Sequence, residues 1–157
     1  MVTRIGPAPM ADEPWNEIVG GLSMGGHWVR GGVPVVVRAE FEVVVSLFQR
    51  EGHGPGTDVE HHYLNIPDRP LLPGQLDEVF RLAELTAGAV DSGRRVLVRC
   101  EYGYNRSGLV VAGALGRLGY PVADAIELVR RRRSEWALHN QAFVEYLTNG
   151  HPGPHRA

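Results

Sequence analysis

The chain has 157 residues, about the size of one domain, so it can bury a hydrophobic core without disulfide or metal support. Its formal net charge of −2 gives no overall attraction for nucleic acid or for an acidic membrane surface. Its single cysteine excludes an internal disulfide bond and a zinc site built from several thiolates of this chain.

The two ends of the chain differ in pattern from the middle. Residues 1–14 carry three prolines and little hydrophobic periodicity, which predicts a loosely ordered N-terminal segment. The glycines and prolines of residues 149–157 predict a flexible C-terminal tail. Residues 15–148 contain no internal repeat and no linker, so we predict that they form one folded domain.

The first half of this domain predicts short strands separated by turns. Ile18–Leu22 is an apolar run broken by two glycines, which indicates a strand followed by a turn. Val43–Val45 lies among β-branched residues and is typical of a buried strand. Residues 51–56 (EGHGPG) predict a loop, and His62–Ile66 predicts a short strand that ends at Pro67.

The second half predicts helices around one more strand. The apolar residues of 75–90 recur at helical spacing, and Val96–Val98 has the length of a buried parallel strand. Three further helices are predicted at Gly108–Leu118, Ala123–Arg133 and Asn140–Leu147. Because strands alternate with helices, we predict an α/β domain with a central, mostly parallel sheet flanked by helices.

The most informative segment is Val96–Gly108, VLVRCEYGYNRSG. A buried strand ends at Cys100, five residues separate it from Arg106, and a helix begins after Ser107. A short loop that closes at a helix N-terminus directs backbone N–H groups to one point, where the helix dipole also favours negative charge. The segment therefore predicts a cradle for a tetrahedral anion.

The side chains of this segment suit chemistry on such an anion. The cradle favours the thiolate form of Cys100, while the planar guanidinium of Arg106 can bind two phosphate oxygens. Gly103 lets the backbone approach the ligand closely, and Ser107 can donate its hydroxyl to the sulfur. A lone cysteine at a strand end is more often a small buried hydrophobe, so the interpretation depends on the whole combination.

Cys100-Glu-Tyr-Gly-Tyr-Asn-Arg106-Ser107 resembles the Cys-x5-Arg-Ser/Thr signature of the protein tyrosine phosphatase superfamily, and most closely its compact dual-specificity branch. The resemblance covers roughly residues 15–148 and implies that branch's fold. It implies hydrolysis through a phosphocysteine, without metal or cofactor, with Cys100, Arg106 and Ser107 in catalytic roles. The phosphate would be bound by the backbone of the loop and by the arginine: Glu101, Tyr102, Gly103, Tyr104, Asn105 and Arg106.

The resemblance also implies a general acid on a loop ahead of the signature, about thirty residues before the cysteine in compact members. Asp68 lies 32 residues before Cys100 and directly follows a predicted strand, so we predict that it is this acid. An aspartate beside proline is commonly a solvated turn residue. The alternatives fit less well, since Asp58 precedes the strand and Asp77 falls on a predicted helix.

The sequence departs from the family pattern beside the nucleophile. Arg99 stands where most members have a histidine that helps to orient the loop, and the carboxylate of Glu101 opposes thiolate formation unless it points outward. Asn105 is similar to the residue at this position in RNA 5′-triphosphatases of the same superfamily. The loop contains no lysine, which disfavours a phosphoinositide substrate.

These features predict a protein phosphatase acting on phosphotyrosine and also on phosphoserine or phosphothreonine. The alternatives are an RNA 5′-triphosphatase, a small-molecule phosphatase, a phosphate-binding module without turnover, and a rhodanese-like sulfur transferase. We expect a monomer that binds phosphorylated proteins and not nucleic acid. We also expect it to be cytoplasmic and not bound to membranes, because no apolar stretch reaches a bilayer span or forms a signal peptide. All 16 basic residues are arginine, which is typical of a GC-rich bacterial genome.

Two other groups of residues, three histidines and a run of four arginines, are interpreted as structural rather than functional. Neighbouring histidines on a strand face opposite sides, so His61 and His62 are not expected to share a metal ion with each other or with His53. Arg130–Arg133 is expected to be a solvated helix end, with a docking patch as the alternative. Tyr102 and Tyr104 either line a pocket or pack in the core.

Overall fold

The structure, a computed structural model, describes residues 7–150. Within that range it contains strands and helices in the following order: β1 (Trp15–Val19), β2 (Leu22–Gly25), β3 (Trp28–Val29), β4 (Val33–Pro34), β5 (Val43–Ser46), β6 (Glu60–Tyr63), α1 (Pro73–Asp91), β7 (Val96–Arg99), α2 (Arg106–Arg117), α3 (Val122–Arg132) and α4 (Gln141–Asn149). The tail predicted at 149–157 falls mostly outside the described residues.

The main sheet has five strands in the order β1-β2-β7-β5-β6. β7 pairs in parallel with both β2 and β5, and β5 pairs in parallel with β6. Only the edge strand β1 runs antiparallel to its neighbour in this sheet, while β3 and β4 form a separate antiparallel pair. The predicted α/β class with a mostly parallel sheet is confirmed.

The central strands β5 and β7 are apolar up to their last residues, Ser46 and Arg99, because both faces of the sheet are covered. Val43 and Val45 point into the larger core cluster, to which all four helices contribute buried side chains. Val44 and Leu97 lie on the opposite face, in a smaller cluster with residues from the irregular segment 35–41. All four residues of β5 and of β7 are buried.

Several boundaries differ from the sequence prediction for identifiable reasons. β6 ends at Tyr63 rather than at Ile66, because its extent is set by parallel pairing with β5, from Val43 opposite Glu60 to Ser46 opposite Tyr63. α2 begins two residues earlier than predicted, at Arg106. The short β3–β4 pair is not predicted from the sequence pattern.

This topology places one loop at a position suited to ligand binding. Residues 100–105 join the end of the central strand β7 to the start of α2, at the carboxyl edge of the parallel strands. In open α/β sheets ligands bind outside this edge. No helix within residues 7–150 combines the length and the apolar character needed to cross a membrane.

Candidate active site

The cysteine lies at the base of the loop, directly after β7. Cys100 is 2% exposed, and its Sγ lies 3.2 Å from the Oγ of Ser107 in the first turn of α2. Ser107 is itself buried. The hydroxyl can therefore donate a hydrogen bond to a thiolate, as the sequence analysis expected of this pair.

The carbonyl groups of residues 101–105 all accept hydrogen bonds from outside the loop. The carbonyl of residue 101 accepts from His27 N–H (2.8 Å), that of 104 from Leu138 N–H (3.0 Å) and that of 105 from Leu109 N–H (2.8 Å). The carbonyls of 102 and 103 accept from Arg133 Nη2 (3.3 Å) and Nε (3.2 Å).

The N–H groups of the loop consequently face away from these partners. In a trans peptide the C=O of one residue and the N–H of the next point in opposite directions, and the only cis bond in the described chain is Gly54–Pro55. The N–H groups of residues 102–106 donate to no acceptor within residues 7–150. They form a set of free donors at the N-terminus of α2, where the helix dipole adds positive potential.

The guanidinium of Arg106 is held beside the loop with its buried Nε left unpaired. Its side chain is 12% exposed; Nη1 donates to Ile66 O (3.2 Å), and Nη2 lies 3.6 Å from Glu101 Oε1. The guanidinium lies over the Phe48 ring, 5.8 Å from its centroid. Nε is buried without a hydrogen-bond partner, an unfavourable state that an anion oxygen would relieve.

Asp68 lies in the loop between β6 and α1, with its carboxylate held by two side-chain amides. Oδ2 accepts from Asn105 Nδ2 (3.0 Å), and Oδ1 accepts from Asn140 Nδ2 (2.9 Å). Asp68 lines the same cavity as Cys100 and Arg106, while Asp58 and Asp77 are not among its lining residues in the described chain. The structure therefore brings the three predicted side chains together.

The residues that position this carboxylate were not predicted from the sequence to have that role. Asn105 is buried, and its Oδ1 accepts from the backbone N–H of Asn140 (2.9 Å) while its Nδ2 also donates to His139 Nε2 (3.2 Å). His139 Nδ1 lies 2.6 Å from Trp136 O, so Nδ1 carries the proton and Nε2 accepts. The Asn105 side chain is thus occupied by internal contacts.

The cavity above the loop has a volume of about 320 Å³. Its lining combines the predicted site with residues that the sequence did not assign: Pro7, Ala8, Met10, Asp68, Cys100, Tyr102, Tyr104, Asn105, Arg106 and His139. The two tyrosines, whose role the sequence left open, both line the cavity. The Tyr104 hydroxyl donates to Pro9 O, and burial raises the pKa of Tyr104.

No protein-family model and no curated protein sequence matches the chain. Solved structures match over most of its length. Human DUSP28 superposes with a TM-score of 0.73 at 21% identity over 90% of this chain and 95% of that one. A mouse dual specificity phosphatase complexed with zinc tungstate gives 0.65 at 23% identity over 93% and 91%. Tk-PTP in its active form gives 0.61 at 26% identity over 87% and 95%.

The chain has the dual-specificity phosphatase fold. The resemblance read from the Cys100–Ser107 signature and the predicted fold class are both confirmed by these superpositions.

Arg99, which departs from the usual sequence of dual-specificity phosphatases, is fully buried. Its guanidinium donates to Ser46 Oγ (3.2 Å), His53 O (3.1 Å), Gln49 Oε1 (3.0 Å) and Gly54 O (2.7 Å). No carboxylate within residues 7–150 pairs with it, and burial lowers the pKa of Arg99 to about 10. In this dual-specificity phosphatase fold Arg99 thus fixes the loop that follows β5.

Two histidines complete the network around this buried cation. His27 Nε2 lies 2.9 Å from Phe48 O and therefore carries a proton, so His27 Nδ1 accepts from His53 Nδ1 at 2.9 Å. Burial, and then the charge of Arg99, lower the pKa of His27 to about 3 and also lower the pKa of His53 and His61. Residues 7–150 contain no cluster of three side chains suited to a metal ion.

The expectation that Arg130–Arg133 is a solvated helix end is wrong for Arg133, whereas the other three arginines are exposed. Arg133 is 7% exposed and binds the carbonyls of residues 102 and 103, as described above. Arg130 donates to Ala137 O (3.1 Å) and Leu138 O (2.8 Å). It thereby supports Leu138, whose φ of 56° is costly for a branched side chain and whose N–H holds the Tyr104 carbonyl.

Gly103→Ala should weaken the binding of inorganic phosphate or tungstate by at least about tenfold. Gly103 has a φ of +76°, and a Cβ there would lie 2.6 Å from both Arg133 Nη2 and Gly25 O, so the loop would have to move. Isothermal titration calorimetry measures the affinity. The control is Gly116→Ala on α2, whose Cβ would meet nothing within 4 Å. Equal affinity for Gly103→Ala and Gly116→Ala would contradict the described loop geometry.

Acidification should destabilise the fold through His27. In the unfolded chain His27 has the ordinary pKa of 6.5, whereas in the folded protein its pKa is about 3. The contribution of neutral His27 to the free energy of unfolding is therefore fully present above pH 6.5 and is lost as the pH falls towards 3. From pH 7 to pH 5 this group should cost about 2 kcal/mol of unfolding free energy. Urea denaturation at several pH values measures the loss.

The non-titrating variant His27→Gln should flatten this pH dependence whatever its absolute stability. The control His62→Gln alters a less buried histidine outside the Arg99 network and should retain most of the loss between pH 7 and pH 5. An unchanged slope in His27→Gln would assign the acid sensitivity to other groups.

Proposed function

We propose that this protein is a cysteine-dependent phosphatase that hydrolyses phosphotyrosine, and also phosphoserine or phosphothreonine, in protein substrates. The observation that carries the proposal is a single cavity lined by Cys100, Arg106 and Asp68. The thiol is buried, the Nε of Arg106 is unpaired, the carboxylate is held by hydrogen bonds, and free N–H groups of the loop lie in the same lining segment. The superposed proteins described as phosphatases support the same activity. We further propose that the protein acts as a cytoplasmic monomer.

In the first step the Cys100 thiolate attacks phosphorus in line with the ester oxygen. The S–P bond forms as the P–O bond breaks, and Asp68 gives its proton to the departing oxygen. The loop amides and Arg106 bind the equatorial oxygens, where charge is concentrated in the transition state. Because these donors are already oriented by outside hydrogen bonds, little reorganisation is needed during the reaction.

In the second step water releases the phosphate. Asp68, now a carboxylate, accepts a proton from the water that attacks phosphorus, and the S–P bond breaks to restore the thiolate. The Ser107 hydroxyl, 3.2 Å from the sulfur, stabilises the leaving thiolate by donating a hydrogen bond. The scheme requires no metal ion and no cofactor.

The charge of the cavity favours a phosphate monoester over an RNA 5′-triphosphate. Arg106 is the only basic residue among the cavity-lining residues of the described chain apart from His139, whose Nε2 accepts from Asn105. A triphosphate carries several negative charges and would leave most of them without a cationic partner. The RNA, small-molecule and non-catalytic alternatives are distinguished by which phosphorylated compounds are bound and turned over.

Cys100→Ser should lower the turnover of p-nitrophenyl phosphate by about 10³-fold or more, because a serine hydroxyl at this position lacks the nucleophilicity of the thiolate. Tungstate affinity should remain within a few-fold, since the loop amides and Arg106 are retained. Steady-state kinetics and calorimetry measure the two effects. Wild-type activity should also persist in EDTA; its loss in EDTA with recovery on adding metal would contradict the scheme.

Asp68→Asn should slow substrates with poor leaving groups most, by about 10²-fold or more, because the amide cannot supply a proton. Activated aryl phosphates, whose leaving oxygen needs little protonation, should be affected much less. The measurement is kcat/KM across a series of aryl phosphates that differ in leaving-group pKa. Asp58→Asn, which alters an aspartate outside the cavity lining, is the control. A uniform loss across the series would argue against the acid role of Asp68.

A further inference from the structure

The segment of residues 7–14, called the strap below, contains no helix or strand but is attached along its length. The Tyr104 hydroxyl donates to Pro9 O, Arg30 N–H donates to the carbonyl of residue 11 (2.9 Å), and Arg133 Nη1 donates to Glu13 O (2.8 Å). The Arg30–Asp12 ion pair (2.8 Å) is largely exposed and adds little. Specific hydrogen bonds, rather than regular secondary structure, therefore determine where the strap lies.

The strap shares its attachments with the phosphate loop. Tyr104 belongs to the loop, and the guanidinium of Arg133 binds Glu13 O with one nitrogen and the carbonyls of residues 102 and 103 with the others. At the far end of the strap, the carbonyl of Pro14 approaches Gly25 so closely that a Cβ there would lie 2.4 Å away. A movement of the strap would therefore disturb the groups that orient the loop amides.

The strap supplies an apolar wall to the cavity. Pro7, Ala8 and Met10 line the same space as Cys100, together with the rings of Tyr102 and Tyr104. The same lining includes Cys100, Arg106 and Asp68. The cavity thus combines groups that can bind an anion with apolar side chains, which fits a ligand that carries a phosphate on a flat apolar body.

The size of the cavity limits that body to about one ring. Its volume of about 320 Å³ lies near the lower end of the roughly 300–1,000 Å³ typical of small-molecule sites. An aromatic ring buried against proline, methionine and tyrosine gains apolar contact that a short alkyl chain cannot match. A phosphoserine or phosphothreonine side chain carries no ring and therefore makes less apolar contact with this lining.

We propose that the strap is a specificity-determining wall that selects aryl phosphate monoesters, and hence phosphotyrosine over phosphoserine and phosphothreonine. The inference rests on the proposed function for its catalytic consequence, and it refines the substrate class stated there. Its consequence for binding does not require turnover, so the two can be tested separately.

The binding test uses Cys100→Ser as the background, with a phosphotyrosine peptide, the same peptide carrying phosphothreonine, and inorganic phosphate as probes. The background protein should bind the phosphotyrosine peptide at least tenfold more tightly than either other probe. Adding Met10→Ala should reduce that preference about fivefold, with inorganic phosphate affinity nearly unchanged. Leu72→Ala, at an exposed leucine outside the cavity lining, is the matched control and should have no effect.

The kinetic test measures kcat/KM of the otherwise wild-type protein and of Met10→Ala on the two peptides and on acetyl phosphate, which has no ring. Met10→Ala should lower kcat/KM on the phosphotyrosine peptide through KM, and by a larger factor than on acetyl phosphate. If neither peptide is turned over but the phosphotyrosine peptide is still bound preferentially, the proposed function is rejected and the strap inference stands. Turnover without a phosphotyrosine preference, or a preference that Met10→Ala leaves unchanged, would overturn the strap inference alone.

Discussion

The site depends on the orientation of the peptide units in one loop. Residues 101–105 turn their carbonyls outward because donors from four other parts of the chain bind them, and the N–H groups of 102–106 are left free as a consequence. Two of these carbonyls are bound by the single guanidinium of Arg133. The free donors are thus oriented by hydrogen bonds that the surrounding protein makes to the carbonyls, and no ligand is needed to organise them.

The segment after β5 is held by a buried cation, Arg99, that pairs with no carboxylate in the described part of the chain. Its guanidinium donates to three neutral oxygens of that segment and to a serine hydroxyl. Burial, together with the charge of Arg99, lowers the pKa of the neighbouring histidines. The same segment carries Phe48, whose ring lies under the Arg106 guanidinium and whose carbonyl accepts from His27. A departure from the usual family sequence therefore has a structural role at some distance from the thiol.

Asp68 and the strap are both attached to the loop by hydrogen bonds. Asn105 in the loop donates to one carboxylate oxygen of Asp68, and Asn140, directly before α4, donates to the other. Tyr104 in the loop donates to the strap. Cys100, Asp68 and the strap come from distant parts of the chain, yet the loop contains or binds each of them, so their relative positions are fixed together.

The sequence by itself determined the local features: the strand, loop and helix around Cys100, the spacing to Arg106, and an aspartate after a strand at Asp68. These follow from hydrophobic periodicity and from chemistry within a short segment. Only the tertiary structure decided the roles of Arg133 and of the strap, and the end of β6. The Arg133–Glu13 bond joins residues 120 positions apart, and no local pattern records which distant carbonyl an arginine will reach.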